Sequence, residues 1–265
     1  MEHGLRPAYQ LCSDDYEGPS AVNANLAAKA IIGIAAYGAL CDKLVYDGAT
    51  DFADDSGCLT PLSGSPPRNY SRIARDFSRQ WALLARGGRG GAARRQYNVS
   101  DSWSLKYNLL WDRIFGTGLF DSAIDAECGW YMQQANATGA RTEAGVRQTF
   151  GWLLDDRSAS DPRGFITNSG WAEWAAAMCG GSAVRDLYGR LKRFVRATPD
   201  RFTLTDFYNA RNASRIRFEG RAQMGAFGAT LFSHAFSRGL LSSSSSSPLL
   251  PESESQVESG NFDHH

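Results

Sequence analysis

The sequence predicts an all-α protein built from helical hairpins. Helical stretches that are apolar nearly all round alternate with amphipathic ones, strand signals are sparse, and the intervening loops are rich in Gly, Ser, Asp and Pro. Inner apolar helix and outer amphipathic helix repeat about four times over residues 1–240, which read as one domain. Residues 241–265 differ in kind: six serines, Ser242 to Ser247, precede a proline and an acidic tail, a composition too poor in apolar area to offset its ordering entropy, so a disordered tail is expected.

The first twenty residues read as loop, and a helix follows from Ala21 to Tyr46. Its small residues (Ala27, Ala28, Gly33, Ala35, Gly38) surround Leu26, Ile31, Ile32 and Ile34, so it is buried on several sides. Its most apolar stretch, Ala30 to Leu40, is short of the ~20 residues a membrane span needs, and the opening residues lack a signal-peptide core. Pro66-Pro67 opens a second helix, in which Tyr70, Ile73, Phe77, Trp81 and Leu84 form one stripe opposite Arg68, Arg72, Arg75 and Arg79. Arg86 to Arg95 is a Gly-Arg loop read as a flexible connection. A third helix is capped by Asp101 or Ser102 and ends at Gly116, and its partner spans Asp121 to Ala137. Beyond a long loop, helices are expected over Gly170–Met178, Val184–Ala197, Thr205–Asn212 and Arg221–Arg238.

Lys+Arg and Asp+Glu both number 28, so no net field gathers nucleic acid or an anionic membrane, and neither is an expected partner. A small neutral or zwitterionic substrate fits better. Five scattered cysteines form no metal-ligand pattern; Cys41 and Cys58 could close a short loop, while Cys128 and Cys179 fall in helices. Four Asn-X-Ser/Thr tripeptides, beginning at Asn69, Asn98, Asn136 and Asn212, permit glycosylation of a secreted protein.

Histidine is scarce, so carboxylates are the natural catalytic pool. Asp14 and Asp15 precede the buried helix, whose N-terminal dipole favours ionised acids suited to general-base work, although a solvated loop capping a local turn accounts for them more simply. Trp103, Lys106 and Asn108 place an indole, an ammonium and an amide together, able to bind a carboxylate or amide or simply to pack and pair. Asp112, on the same stretch, is a catalytic acid or the partner of Lys106. Trp171 and Trp174 flank Glu173 with the same ambiguity.

Several of these segments resemble the glutaminase A family, found notably in fungi. Ser13-Asp14-Asp15-Tyr16-Glu17-Gly18 resembles its Thr-Asp-Asp-Phe-Ala-Gly stretch, and Asn25 to Ala36 is similar to Asn-Leu-Ala-Leu-Lys-Gly-Ile-Ile-Gly-Ile-Ala-Ala. Ser102 to Asn108 matches Ser-Trp-Ser-Leu-Lys-Tyr-Asn, and Leu154 to Arg157 and Trp171 to Ala177 have counterparts, in order, across residues 10–235. The resemblance implies an (α/α) toroid of the six-hairpin, glycosidase-like type, hydrolysis of L-glutamine to L-glutamate and ammonia, no cofactor or metal, and an extracellular location. It adds Arg157 and Trp171 to Trp103, Lys106 and Asn108 as substrate-binding candidates, beside Asp14, Asp15 and Asp112 as catalytic ones. Two departures stand out. Thr-Lys-Ser-Asp-Trp of the family reads here Thr167-Asn168-Ser169-Gly170-Trp171, and residues 141–152 resemble an insertion. The family also carries an N-terminal β-rich domain and earlier hairpins not found here. The expectation is therefore a fragment with about four hairpins, an exposed apolar edge covered by the missing half or a second copy, and activity dependent on the missing part. Alternatives are a carbohydrate-active hydrolase using two carboxylates across an aromatic cleft, or a non-catalytic helical binding module.

Overall fold

The computed structural model describes residues 2–11, 18–48, 58, 69–136, 150–158, 160–162, 165–200 and 203–237. The expected tail at 241–265 and the helix-opening Pro66-Pro67 lie outside them.

A short helix α1 (Glu2–Leu5) and a two-residue antiparallel pair, β1 (Gln10–Leu11) with β2 (Pro19–Ser20), lead into α2 (Ala24–Tyr46). The helix starts three residues later than predicted. Val22 is held at φ 49°, outside helical space, and Asn23 caps the first turn, its Oδ1 accepting the Leu26 N–H at 2.9 Å. By length and composition α2 could cross a membrane, but half of its apolar window is buried inside the fold. It packs on α3 (Tyr70–Leu84), which Asn69 caps in the same manner. Trp81 fixes the pair: its indole is 1% exposed and its Nε1 donates to Ala24 O at 2.8 Å. Gly38 permits the contact, since a Cβ there would lie 3.0 Å from Tyr70 Cβ.

The Gly-Arg loop is ordered rather than flexible. It forms a 3-10 turn (Arg89–Gly91), Arg94 N–H donates to Ala85 O, and the Arg95 carbonyl accepts from Ala24. Arg95 is itself buried, its guanidinium against Asp156 at 3.0 Å. The glycines allow this: Gly90 sits at φ 62° directly under the Trp130 ring. The next segment also departs from expectation. Residues 101–106 are not helical: Asp101 takes φ 52°, and an isolated antiparallel bridge at Ser104 joins the backbone to the chain at 154–156, with Leu105 N–H donating to Leu154 O and Asp156 N–H to Trp103 O. Neither Asp101 nor Ser102 caps a helix. Helical backbone begins with a 3-10 turn at Tyr107–Leu109, continues as α4 (Leu110–Phe115), and stops at Gly116 in left-handed conformation, as predicted. Its partner is α5 (Asp121–Asn136).

A three-stranded antiparallel sheet, β3 (Ile166–Asn168), β4 (Phe207–Asn209) and β5 (Arg215–Arg217), replaces the helix expected over Thr205–Asn212. Aromatic Phe207 and Tyr208 pair well across strands, Asn209 Oδ1 accepts from Arg211 and Asn212, and Ala213 at φ 61° reverses the chain. Between β3 and β4 run α6 (Ser169–Cys179), capped by Asn168, and α7 (Gly181–Ala197). The last stretch is a 3-10 segment (Ala222–Gly228) followed by α8 (Ala229–Ser237), not one helix.

The chain is mostly helical, as predicted. Helices α2, α4, α6 and α8 form the inner row, with α3 packed on α2, α7 on α6, and α5 against both α6 and α7; Ile31, Leu109, Ile124 and Leu187 are fully buried. Two disulfides brace this arrangement. Cys41–Cys58 closes the loop foreseen for it, and Cys128–Cys179 joins α5 to α6.

Candidate functional site

Helices α4 and α6 and the stretch from Ala222 to Phe232 border a solvent-open cavity of about 600 Å³. Leu110, Trp111 and Ile114 of α4 form one wall, Gly170, Trp171 and Trp174 of α6 a second, and Ala222 to Phe232 the third. The i, i+3 spacing of Trp171 and Trp174 puts both rings on one side of α6. They belong to a continuous aromatic ladder. Tyr107 stacks on Trp171 at 4.4 Å between ring centres, Trp171 meets Trp174 edge-on at 5.3 Å, and Trp174 meets Trp111 edge-on at 5.2 Å. A second hollow of about 190 Å³, bounded by Ala35, Ala39, Arg75, Phe115 and Phe236, extends the inner face towards α2. Phe115, Phe232 and Phe236 stand 36–44% exposed along this face.

The described cavity lining is apolar, and polar chemistry stands at its margins. Glu173 lies on α6 between the two tryptophans and is completely buried. The Tyr188 hydroxyl donates a very short hydrogen bond to its Oε1, and Thr230, placed between the cavity-lining Ala229 and Phe232, donates a second at 3.0 Å. Oε2 is buried with no hydrogen-bond partner among the described residues. Burial pushes the Glu173 carboxyl above its ordinary value, against the opposing pull of the two hydroxyls. Burial and the adjacent carboxyl likewise push Tyr188 up to about 12. At the N-terminal end of α6, Asp206 accepts from Asn168 Nδ2 at 2.9 Å and from Arg221 through two nitrogens, at 2.7 and 3.2 Å.

Among the sequence candidates, Trp171 lines the cavity. Asp14 and Asp15 lie outside the described residues. Lys106, fully buried, turns away from any cleft: its Nζ donates to Ala93 O, Ser104 O and Ser104 Oγ at 3.0–3.1 Å. It faces Glu127, which accepts the Ala93 N–H at 2.7 Å and the Tyr131 hydroxyl at 2.6 Å. Burial raises Glu127, and the Lys106 charge works against the rise. Asn108 joins this frame, its Nδ2 donating to Asn25 O and its N–H to Asn25 Oδ1. Trp103 is buried edge-on against Trp130. Asp112 is not the partner of Lys106; it closes the α4–α5 turn, accepting from the Thr117 hydroxyl and from the Leu119 and Phe120 N–H groups. Arg157 clasps Asp155 through Nε at 3.1 Å and Nη2 at 2.6 Å. Five of the eight candidates, Trp103, Lys106, Asn108, Asp112 and Arg157, are thus held in contacts that order the frame. Glu173, at the cavity margin, stands outside those eight, and its flanking tryptophans are the signal for it in the sequence. Among the described residues, no three His, Cys, Asp or Glu side chains gather as a metal-binding group.

A mostly helical chain of inner and outer helices around an aromatic-walled cavity defines a helical-hairpin protein. The chain belongs to the glutaminase A family, whose six helical-hairpin domain model matches residues 1–231. It is 28% identical over 232 residues to Glutaminase A of Aspergillus oryzae, an alignment covering 85% of this chain and 28% of that protein. To a probable glutaminase of Arthroderma benhamiae it is 23% identical over 224 residues, covering 78% and 23% respectively. The chain therefore spans about a quarter of the length of these relatives. No solved structure matches it.

Proposed function

We propose that this chain forms the inner-helix wall of a glutaminase-like amidohydrolase site, in which L-glutamine is hydrolysed to L-glutamate and ammonia. Its similarity to Glutaminase A across most of its described length carries the reading. In this proposal water attacks the side-chain carbonyl of the substrate, the C–N bond breaks, and the departing nitrogen takes a proton. Glu173, a carboxyl with raised proton affinity beside Trp171 and Trp174, is suited to hold that proton, and general acid–base assistance is typically worth ~10²–10⁴-fold. Asp14 and Asp15 stay as proposed bases, and Trp171 as the proposed substrate-contacting ring. No cofactor, metal, nucleic-acid or membrane partner is part of the proposal. Secretion is: two disulfides in one chain suit an oxidising compartment.

Ammonia release from L-glutamine tests the reading, with the chain assayed alone and together with the portion of the Aspergillus oryzae protein outside the alignment. Release abolished by changing Trp171 to Ala supports it; silence in both folded preparations overturns it. The apolar lining of the cavity favours a second reading, a non-catalytic helical binding module. Stabilisation by apolar ligands but not by L-glutamine, in a thermal melt, would select that alternative.

A further inference from the structure

We propose that Asn98 and Asn212 are acceptor sites for N-linked oligosaccharide; the proposal rests on the secretory reading given above. Sequence alone does not rank the four Asn-X-Ser/Thr tripeptides, and the fold separates them.

Asn98 occupies the exposed turn after Tyr97, where the Val99 N–H donates to Gln96 O at 3.1 Å. Its side chain makes no hydrogen bond among the described residues, and Ser100 of the same tripeptide is exposed. Asn212 sits at the tip of the β4–β5 hairpin. Its Oδ1 accepts the Ser214 N–H at 3.0 Å and the Ser214 hydroxyl at 2.7 Å, a closure made possible by Ala213 at φ 61°. The acceptor amide and the serine hydroxyl of the tripeptide are therefore already together, with Nδ2 of this exposed residue uncommitted among the described residues. Asn69 differs, for its Oδ1 caps α3 and its tripeptide serine, Ser71, lies against Gly38 of α2. The Asn136 side chain is not among those described.

The modification needs a polyprenyl-pyrophosphate-linked oligosaccharide as donor. Nδ2 attacks C1 of the reducing-end N-acetylglucosamine, forming an N–C1 bond. The C1–O bond breaks, polyprenyl pyrophosphate leaves with the electron pair, and Nδ2 loses one proton, with no oxidation or reduction. Neither asparagine lines the 600 Å³ cavity or the 190 Å³ hollow, so glycans on them leave the inner face open.

The test is to express the full chain behind a eukaryotic secretion leader, treat it with peptide-N-glycosidase in ¹⁸O-water, and locate the Asn-to-Asp conversions by mass spectrometry. The expected result is label at Asn98 and Asn212 and a gel shift reduced stepwise by N98Q and N212Q. S100A and S214A, which leave the asparagines in place, should reproduce each step. Translation with microsomes gives the same readout if a variant is not exported. Protein with intact disulfides and no label, or label confined to Asn69 and Asn136, overturns the glycosylation proposal while leaving the compartment reading standing. Label at both sites on a chain whose cysteines are all reduced upholds the proposal and removes the disulfide argument for secretion instead.

Discussion

Replacing both Cys128 and Cys179 with alanine should destabilise the protein more than the same change at Cys41 and Cys58. The two bridges close loops of different length, 51 residues against 17. In the chain-entropy description, a cross-link removes freedom from the unfolded state by an amount that grows with the logarithm of the loop. That gives about 4 kcal/mol for the longer loop and about 3 kcal/mol for the shorter. The loops do not overlap in sequence, so the two effects should add. The longer bridge also joins α5 to α6, the helix carrying Trp171, Glu173 and Trp174, so its loss loosens the cavity wall. Urea unfolding followed by tryptophan fluorescence is the assay. With a slope of about 2–3 kcal/mol per molar, C128A/C179A should lower the midpoint by about 1.3–2 M, with a slightly steeper slope because the freed unfolded chain exposes more surface. An unchanged midpoint, or a larger loss from C41A/C58A, would refute the loop argument. At least four of the five cysteines should resist thiol reagents in denaturant until a reductant is added.

Three further outcomes follow from buried groups. Lys106→Met strands the fully buried Glu127 without its cation and should cost about 3–5 kcal/mol in urea unfolding, most of which the double variant with Glu127→Gln restores. Glu173 binds its proton more tightly when folded, so its contribution is full below its ordinary value of 4.5 and is lost as pH rises through the higher folded value; Glu173→Gln should gain stability relative to wild type over that rise, and parallel pH–stability curves would contradict the assignment. Gly90→Ala should cost about 2–4 kcal/mol, because its Cβ would meet the Trp130 ring at φ 62°, whereas Gly91→Ala, strained but with open space around it, should cost about 1 kcal/mol; equal melting shifts would show that the loop moves aside.

Much of the frame was legible in the residues. The all-round apolar character of α2, the stripe of Tyr70, Phe77 and Trp81, and the stop at Gly116 rest on local periodicity and backbone sterics, which a chain carries without its fold. The ordered motifs likewise carried the glutaminase A resemblance. Tertiary structure decided the rest. Phe207 and Tyr208 became a strand because Ile166 to Asn168 pair with them, and the stretch around Ser104 was held out of a helix by the chain at 154–156. The Gly-Arg loop is ordered because α2, Glu127 and Trp130 surround it. The role of a polar side chain was the least legible. Lys106 and Asp112 have the composition of site residues, yet their partners lie largely on backbone groups set in place by folding, and Glu173 gains its raised proton affinity from burial, which the hydroxyls of Tyr188 and Thr230 oppose. Sequence determines which helices form and which face is apolar, because those depend on near neighbours. Burial, charge pairing and the choice between scaffold and site depend on residues far apart in the chain, and only the assembled fold sets them.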